Sequence, residues 1–373
     1  MARAATLTDV QVRRARTVAQ LLHRPGRRSV VDLVSHLTGV QAQVLPAASL
    51  ALRARRAGLS AAAVDRARIH DRSIVLCWAM RGTLHLIAAD DHAWLVPLVI
   101  KRRIANAHRR LRQEGVTGSQ ATKAVRSIER MLEHEGPLLR AEIAERLRRQ
   151  GIRTEGQAIA HLVWLAGAEG TICYGPDRDG ERCFVLVRDW LGRTATTVEP
   201  ESALPELVVR YLRAHGPAAP ADLAAWSGIA LADARRGWRN VEDRLVEVST
   251  DRGPRWGLRR SIAPPPSSEK VVRLLPAFDE YLLGWKDRQL IAPASGWKTI
   301  QRGGGWLHPV VLVDGRAVGT WTSERRADGL RVDVIPFGGL DRALRRRIDE
   351  DASDIGRFLR TEARTSYPKR SAR

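Results

Sequence analysis

A repeated segment is the feature that most constrains how this chain folds. Residues 136–144 and residues 216–224 both begin with Gly-Pro, continue into an acidic and apolar stretch, and follow a leucine four residues before the glycine. In both copies the hydrophobic pattern predicts one helix before Gly-Pro, two helices after it, and then a two-stranded hairpin. Three helices followed by a hairpin are the element order of a winged helix. The repeat therefore predicts two winged helices in tandem.

The turn of each predicted hairpin is marked by its residues. The first copy has Asp-Arg-Asp-Gly at 177–180, within a hairpin over 171–187. The second has Asp-Arg-Gly-Pro at 251–254, within a hairpin over 245–258. Aspartate and glycine favour tight turns because they tolerate the backbone angles that such turns need.

The N-terminal segment shows the same order of elements. Residues 8–70 have helical patterns, and β-prone runs at 74–80 and 83–87 then flank Arg81-Gly82. We therefore predict a third winged helix ahead of the two repeats. The three units are expected at residues 1–115, 116–195 and 196–262.

The last part of the chain changes character. Residues 263–268, Ala-Pro-Pro-Pro-Ser-Ser, predict a linker, and Asp314-Gly315 predicts a hairpin turn. A helix over 340–361 and a disordered basic tail are expected at the end. Residues 263–373 should thus form a small β-barrel-like domain with a closing helix, which makes the whole chain α+β. The β-prone runs of this domain are 271–275, 310–313, 318–321 and 330–335.

Two glutamines border an apolar helical stripe. The stripe consists of residues at helical spacing, Leu33, Leu37, Val40 and Val44, behind a predicted capping box of Ser29 and Asp32. Pro46 is expected to end this helix, because the residue before a proline is pushed out of the α region. Gln41 and Gln43 would flank the stripe in the last turn. On spacing alone, they could line a cleft or simply mark the boundary of a buried seam.

The charge balance is strongly basic. Lys plus Arg total 62 against 41 Asp plus Glu, a net charge of +21. Such a chain attracts polyanions and releases counterions from phosphates. Genomic base composition that enriches arginine and alanine would give a similar balance. The basic run 101–112 is likewise compatible with a DNA-facing helix or a solvated one.

Cysteine usage and the N-terminus exclude several classes. Cys77, Cys173 and Cys183 fit neither a metal-ligand spacing nor a disulfide framework, although Cys173 and Cys183 are expected to face each other across a hairpin. No signal peptide and no apolar run of membrane-spanning length occurs. We expect a cytoplasmic protein, monomeric, without metal, cofactor or membrane partner.

Four ordered segments carry a family resemblance. Gln41-Ala42-Gln43, the segment 78–86 (Trp-Ala-Met-Arg-Gly-Thr-Leu-His-Leu), and the segments 274–288 and 308–315 together resemble the AlkZ-type DNA glycosylases, a winged-helix family that hydrolyses alkylated bases out of DNA. The resemblance covers most of the chain. It implies a C-shaped scaffold that encloses duplex DNA.

The resemblance also implies an activity. The expected enzyme is a monofunctional glycosylase that removes N7-alkylated purines, including bulky natural-product adducts and interstrand crosslinks, in base excision repair or self-resistance. Gln41 and Gln43 would orient water and face the developing sugar cation. A related subgroup has Asp at the second position, so Gln43 favours the crosslink-unhooking branch. The expected DNA-contacting residues are Arg81, Thr83, His85, Lys286, Arg288, Arg302 and Trp306.

Other assignments are open on sequence grounds. His85 could contact a phosphate or a flipped nucleotide, or could be a half-buried structural histidine. Trp306, after Arg302 and three glycines, could probe a DNA groove or stack on a base, or could belong to a mobile surface loop. The carboxylates Asp90, Asp279 and Asp287 are better explained as structural ion pairs than as catalytic groups.

The rival class is a non-catalytic winged-helix DNA-binding protein, such as a transcription regulator. Tandem winged helices and excess positive charge suit both classes. Gln41 and Gln43 favour the enzyme, and so does the covalent linkage of three units, because regulators usually dimerise a single winged helix.

Overall fold

The computed structural model describes residues 6–24, 26–192, 200–259 and 270–368. Helices predominate before residue 240 and strands after it, so the chain is α+β. The helices are α1 (Asp9–Ala19), α2 (Val30–Leu37), α3 (Leu45–Arg55), α4 (Ala61–Asp65), α5 (His92–Gln113), α6 (Gly118–Glu135), α7 (Arg140–Arg149), α8 (Ala158–Ala168), α9 (Val187–Leu191), α10 (Pro200–His215), α11 (Pro220–Ser227), α12 (Leu231–Arg239), α13 (Glu280–Leu283), α14 (Ala294–Ile300) and α15 (Arg342–Leu359). The strands are β1 (Thr6–Leu7), β2 (Val40–Gln41), β3 (Ile74–Trp78), β4 (Leu84–Ala88), β5 (Ile172–Arg178), β6 (Glu181–Leu186), β7 (Leu245–Thr250), β8 (Arg255–Leu258), β9 (Val272–Leu275), β10 (Gln301–Arg302), β11 (Trp306–Leu307), β12 (Val310–Val313), β13 (Arg316–Arg326), β14 (Gly329–Pro336) and β15 (Ala363–Ser366).

The two repeated segments adopt the predicted order of elements. Helices α6 to α8 precede the hairpin β5–β6, and helices α10 to α12 precede the hairpin β7–β8. The acidic residue shared by the copies caps a helix in each. The Glu142 carboxylate accepts the Leu139 N–H at 2.7 Å, and the Asp222 carboxylate accepts the Ala219 N–H at 2.9 Å. An acceptor at this position satisfies a backbone donor that the helix itself leaves free.

The N-terminal unit interlocks with both repeats through its sheets. Strands β2, β4 and β3 continue into the first repeat's hairpin, in the order β2-β4-β3-β5-β6. Leu76 and Tyr174 are partners across this junction. The second repeat's β7 instead pairs in parallel with β1. Neither pairing was predicted, because local pattern does not report which edge a hairpin meets.

The prediction that one helix extends through the two glutamines is wrong. The Ser29–Asp32 capping box forms as predicted, but α2 ends at Leu37, and Thr38 takes a left-handed φ of 61°. Gly39 follows with a φ of 122°, and a side chain there would come within 2.7 Å of Met80 Cε. Pro46 does not end that helix; it lies in the first turn of α3, where its fixed φ is favourable.

The C-terminal sheet is a curled half-barrel with strand order β15-β14-β13-β12-β9. The turn at Asp314-Gly315 joins β12 to β13 as predicted. Helix α15 packs on β9 and β15. The expected disorder after this helix is wrong for residues 363–366, which form β15 and pair in parallel with β14. The predicted linker 263–268 lies outside the described residues.

Buried arginine–carboxylate pairs join α3 to the C-terminal domain. Arg53 is fully buried and donates to the Asp351 carboxylate at 3.1 Å, and Arg55 makes a bidentate pair with Asp279 at 2.8 and 2.9 Å. These pairs hold α3 against the C-terminal domain and do not themselves line the cleft described below. We call the set the ionic seam, and it comprises Arg24, Arg53, Arg55, Asp279, Asp351 and Asp354.

The cysteines do not pair. Cys77, Cys173 and Cys183 are free and buried. The expected facing of Cys173 and Cys183 is wrong, because Cys173 lies opposite Val185 in the hairpin. Among the described residues, no cluster of His, Cys, Asp and Glu could hold a metal ion. Nor does any described helix have the length and apolar character needed to cross a membrane.

Candidate active site

A cleft of about 460 Å³ lies where the N-terminal unit meets the C-terminal domain. It brings together both predicted catalytic glutamines and four of the predicted DNA-contacting residues. Apolar side chains and a glycine-rich hairpin complete its wall. The residues that line this cleft are Gln41, Gln43, Arg81, Thr83, Phe278, Leu283, Arg288, Gln301, Gly304, Gly305, Trp306 and Leu307.

Gln41 is held at both its backbone and its side chain. It ends strand β2, opposite His85 of β4. Its backbone N–H donates to Glu280 Oε1 at 2.7 Å, and its side-chain Oε1 accepts from Arg81 Nη2 at 2.5 Å. The residue is buried. A side chain restrained in this way has one orientation available in the cleft.

Gln43 lies in the loop between β2 and α3 and is exposed. Its Oε1 accepts the Leu84 backbone N–H at 3.0 Å. Ala42 lies between the two glutamines and is fully buried, with its N–H donated to the Leu84 carbonyl at 2.7 Å. The Gln-Ala-Gln segment is therefore an extension of the sheet edge, and its pairing with residue 84 presents both glutamines to the same cleft.

Arg81 connects three parts of the chain. It occupies the tight turn between β3 and β4 with a left-handed φ of 58°. Besides Gln41, its guanidinium donates to the carbonyl oxygen of Trp226 at the end of α11. Burial lowers the pKa of Arg81, and the nearby Glu280 carboxylate partly offsets that effect. The strained backbone at a ligand cleft is typical of a functional position.

Glu280 is the site residue that sequence reasoning missed. It is fully buried at the start of α13, and it accepts both the Gln41 N–H and the Trp226 Nε1–H, the latter at 3.0 Å. Burial raises the pKa of Glu280, while Trp226, Arg81 and Gln41 act in the opposite direction. Its neighbour Asp279 is the carboxylate of the same motif considered on sequence grounds, but both carboxylate oxygens of Asp279 accept hydrogen bonds from Arg55.

Aromatic and basic groups form the mouth of the cleft. Trp306, on the hairpin β10–β11, is 45% exposed and packs edge-on against Phe278 with ring centroids 4.9 Å apart. Arg288 lies over the Trp297 ring at 4.9 Å, and burial lowers its pKa. Thr83 bonds its hydroxyl to the Met80 carbonyl. The mouth therefore offers an accessible indole and a cation to a ligand.

Three predicted contact residues do not line the cleft. Lys286 and Arg302 are exposed beside it. His85 is fully buried, its Nδ1 bonds to the Thr83 carbonyl at 2.9 Å, and its Nε2 has no partner within the described structure. Burial, with a contribution from Arg81, lowers the pKa of His85 to about 3, so the ring is neutral at physiological pH. Contact between His85 and a nucleotide would require its strand to move.

The other two carboxylates considered, Asp287 and Asp90, lie outside the cleft wall. Asp287 forms an ion pair with Arg252 at 2.9 Å, as expected. Asp90 is exposed and does not line the cleft. The cleft wall therefore contains neutral amides, cations and aromatic rings, with one buried carboxylate behind Gln41. Such a set can orient water and stabilise charge, but it offers no exposed general acid.

Comparisons with known proteins agree with one another. The family model described as DNA glycosylase AlkZ-like matches residues 34–358 of this chain. An interstrand DNA cross-link repair glycosylase of Streptomyces sahachiroi is 29% identical over 356 residues, which cover 91% of this chain and 93% of that protein. The solved structure of Streptomyces sahachiroi DNA glycosylase AlkZ superimposes with a TM-score of 0.82 at 27% identity, and covers 97% of this chain and 100% of that one.

Proposed function

Because this chain belongs to the AlkZ-like DNA glycosylase family, and is thus a hydrolase of N-glycosyl bonds, we propose that it excises N7-alkylated purines from DNA. The observation that carries the proposal is the convergence of Gln41 and Gln43 on one cleft with an accessible indole and a cation at its mouth. A purine alkylated at N7 is already cationic, so it departs without a proton from the enzyme. A cleft without an exposed general acid suits such a substrate.

The proposed reaction breaks the bond between the base nitrogen N9 and the sugar C1′. The bonding electrons leave with the base, which becomes neutral, and oxocarbenium charge develops on the sugar. Water then forms the new bond to C1′ and loses a proton to solvent. The protein's contribution is to hold that water and to stabilise the sugar cation, tasks for which preorganised dipoles are effective. The Glu280 carboxylate behind Gln41 adds negative potential on the same side.

The substrate enters as duplex DNA in this proposal. Trp306 and Arg302 on the β10–β11 hairpin, with Lys286 and Arg288 beside the cleft, contact the strand that carries the lesion. The three helix-and-hairpin units act as winged helices that wrap a monomeric, C-shaped protein around the duplex. The support is the net charge of +21 and the element order of each unit.

Bulky adducts and crosslinks are the proposed extension of the substrate range. A relative of this chain is named an interstrand DNA cross-link repair glycosylase, and Gln43 places an uncharged amide at the second position of the Gln-x-Gln motif, which favours the crosslink-unhooking subgroup. An open, polar cleft of about 460 Å³ has room for a purine with a substituent. Self-resistance to a DNA-alkylating natural product is the physiological role that this range favours.

The decisive experiment is release of free base. Duplex DNA treated with a simple methylating agent is incubated with the protein, and free 7-methylguanine is measured under single-turnover conditions. Release that leaves abasic sites in the strand supports the proposal. A protein that releases no base yet binds one DNA sequence tightly, with a shallow salt dependence, would be the non-catalytic regulator instead.

A further inference from the structure

We propose that Arg81 and Glu280 are positioning residues that give the two glutamines different tasks: Gln41 donates hydrogen bonds, and Gln43 accepts them. The inference rests on the proposed glycosylase function and deepens it. It concerns which atom of each amide faces the reacting water, and which parts of the chain decide this. Neither Arg81 nor Glu280 needs to touch the substrate for this role.

The orientation of each amide follows from its partner. An arginine nitrogen and a backbone N–H can only donate, so each must meet the amide oxygen and not the amide nitrogen. Arg81 Nη2 thus donates to Gln41 Oε1, and the Leu84 N–H donates to Gln43 Oε1. Among the described residues, nothing accepts a hydrogen bond from Gln41 Nε2. The amide nitrogen is what Gln41 can offer to a ligand.

The side-chain oxygens of Gln41 and Gln43 differ in the charge of the group that donates to them. Gln41 Oε1 lies 2.5 Å from a guanidinium nitrogen, and a neighbouring cation opposes stabilisation of a second cation on the sugar. Within the described structure, Gln43 Oε1 accepts one hydrogen bond, from a neutral backbone N–H, and keeps its second lone pair. Gln43 is therefore the better acceptor for a water proton and the better dipole toward the oxocarbenium charge.

This arrangement defines one geometry for the nucleophile. The water accepts from Gln41 Nε2–H with one lone pair and donates one proton to Gln43 Oε1. Its second lone pair is left to attack C1′, which matches the bond formed in hydrolysis. A water held by one donor and one acceptor cannot rotate without losing a hydrogen bond, so its attacking orbital is fixed.

The positioning residues form a closed ring of hydrogen bonds. Arg81 donates to Gln41 Oε1 and to the Trp226 carbonyl, while Trp226 Nε1–H and the Gln41 N–H both donate to Glu280. The ring joins the N-terminal unit, the second repeat and the C-terminal domain. Because Glu280 and Arg81 carry opposite charges in the same buried ring, each lowers the cost of burying the other.

The test begins with Arg81→Asn. Asparagine tolerates the left-handed backbone at position 81, yet it is too short to span from Gln41 to Trp226. Single-turnover release of 7-methylguanine should slow by about 10–100-fold, as is seen for residues that orient metal ligands. Glu280→Gln, which keeps an acceptor oxygen but removes the charge, should slow release by a smaller factor. DNA binding, titrated in parallel, should change little.

A matched control separates positioning from general stability. Asp351→Asn removes a comparably buried carboxylate in the ionic seam, away from the cleft. It should lower the melting temperature while the folded protein keeps the wild-type release rate. A merely structural Arg81 would behave like this control.

Two further comparisons make the inference falsifiable. First, we expect the double variant Gln41→Ala with Arg81→Asn to release base no more slowly than Gln41→Ala alone, because Arg81 acts through Gln41. If the two residues acted independently, Gln41→Ala would slow release by the same factor in both backgrounds. Second, Gln41→Glu removes the donor and should be as slow as Gln41→Ala, whereas Gln43→Glu keeps an acceptor and should retain activity.

The outcomes distinguish this inference from the function beneath it. Wild-type protein that releases no base overturns the proposed function and the inference with it. Wild-type release combined with an unimpaired Arg81→Asn variant, additive effects of Gln41→Ala and Arg81→Asn, or a fully active Gln41→Glu variant overturns the inference alone.

Discussion

The cleft and the ionic seam are built from similar charged side chains, but they differ in how completely those side chains are paired. In the seam, Asp351 accepts from Arg24 at 2.9 Å, Arg53 at 3.1 Å and the Leu274 N–H at 2.8 Å. In the cleft, and among the described residues, Arg81 donates to neutral carbonyl groups and Glu280 accepts from neutral N–H groups, with no ion pair at either. Charges that pair with opposite charges hold two domains together, even though the Nε atoms of Arg53 and Arg55 lack a partner within the described structure. The charged groups at the cleft, Arg81 and Glu280, bond neutral groups instead and leave hydrogen-bonding groups of the site available to a ligand.

Burial acts on both regions, with different results. Burial by itself would raise the pKa of Asp351, but Arg53, Arg24 and Arg273 outweigh it and the pKa is lowered. At Glu280 burial prevails and the pKa is raised. Asp351 therefore stays ionised to lower pH, whereas the Glu280 carboxylate is the more easily neutralised of the two. Substitutions in the two regions should accordingly affect different quantities.

The largest expected effect is on catalysis. Gln43→Ala should slow single-turnover release of 7-methylguanine by roughly 10²–10⁴-fold, comparable to loss of a positioned base or oxyanion donor, or about 3–5 kcal/mol of barrier. Its stability cost should stay below ~1 kcal/mol because the side chain is exposed. Gln43→Asp should keep partial activity as a water acceptor.

Gln41→Ala should slow release to a similar degree. It should cost about 1–3 kcal/mol of unfolding free energy as well, because it leaves the buried guanidinium of Arg81 without one acceptor. Single-turnover release rates measure the first effect and denaturant unfolding measures the second, while a binding titration on the same lesion-bearing DNA is the control. If both alanine variants released base at the wild-type rate, the two glutamines would have no catalytic role.

The seam should respond in stability alone. Arg53→Met removes a fully buried guanidinium and leaves Asp351 short of a partner, which should lower the free energy of unfolding by about 3–5 kcal/mol. Denaturant unfolding measures this loss, and the release rate of the folded fraction should equal that of the wild type. A large rate defect in this variant would mean that the seam and the cleft are not separable.

An intermediate effect is expected at the rim of the cleft. Lys286→Ala combined with Arg288→Ala should weaken binding to duplex DNA by a similar factor for every sequence, and should reduce the salt slope by about 1–2. Neither side chain forms an ion pair within the described structure. The control replaces Arg126 and Arg130, exposed arginines of α6 away from the cleft. Unchanged affinity with a lower melting temperature would reject the contact role.

The smallest effect is a pH dependence contributed by the buried His85, in the same direction as that of other histidines whose pKa burial lowers, His36, His92 and His215. The folded-state pKa of His85 is about 3, below its ordinary 6.5, so the unfolded chain binds the extra proton first and stability falls as pH drops below 6.5. Between pH 7 and pH 6 this amounts to roughly 0.7 kcal/mol for one histidine. Asp351 does not titrate in that window.

Paired denaturant titrations at the two pH values, on the wild type and on His85→Asn, isolate this contribution. The variant should lose less stability between pH 7 and pH 6 than the wild type does. An identical loss in both proteins would show that His85 is not the buried neutral group that the structure describes.

Much of the secondary structure was determined by sequence patterns that act over short distances. The Gly-Pro repeat, the Ser29–Asp32 capping box and the Asp314-Gly315 turn each specify a local conformation through hydrogen bonds and backbone preferences within a few residues. The ordered motifs identified the family, and they drew attention to Gln41 and Gln43 as residues.

Only the tertiary structure decided what those glutamines face. Local pattern placed them on a helix, but the positive φ of Gly39 and the pairing of Val40 and Gln41 with β4 put them on a sheet edge. The partner of the Gln41 N–H, Glu280, lies 239 residues away in the chain. No periodicity connects positions so distant, because their meeting depends on how α13, α11 and the β3–β4 turn pack together. The sequence supplied the amides, and the packing of three units against one another decided which of their atoms a substrate can reach.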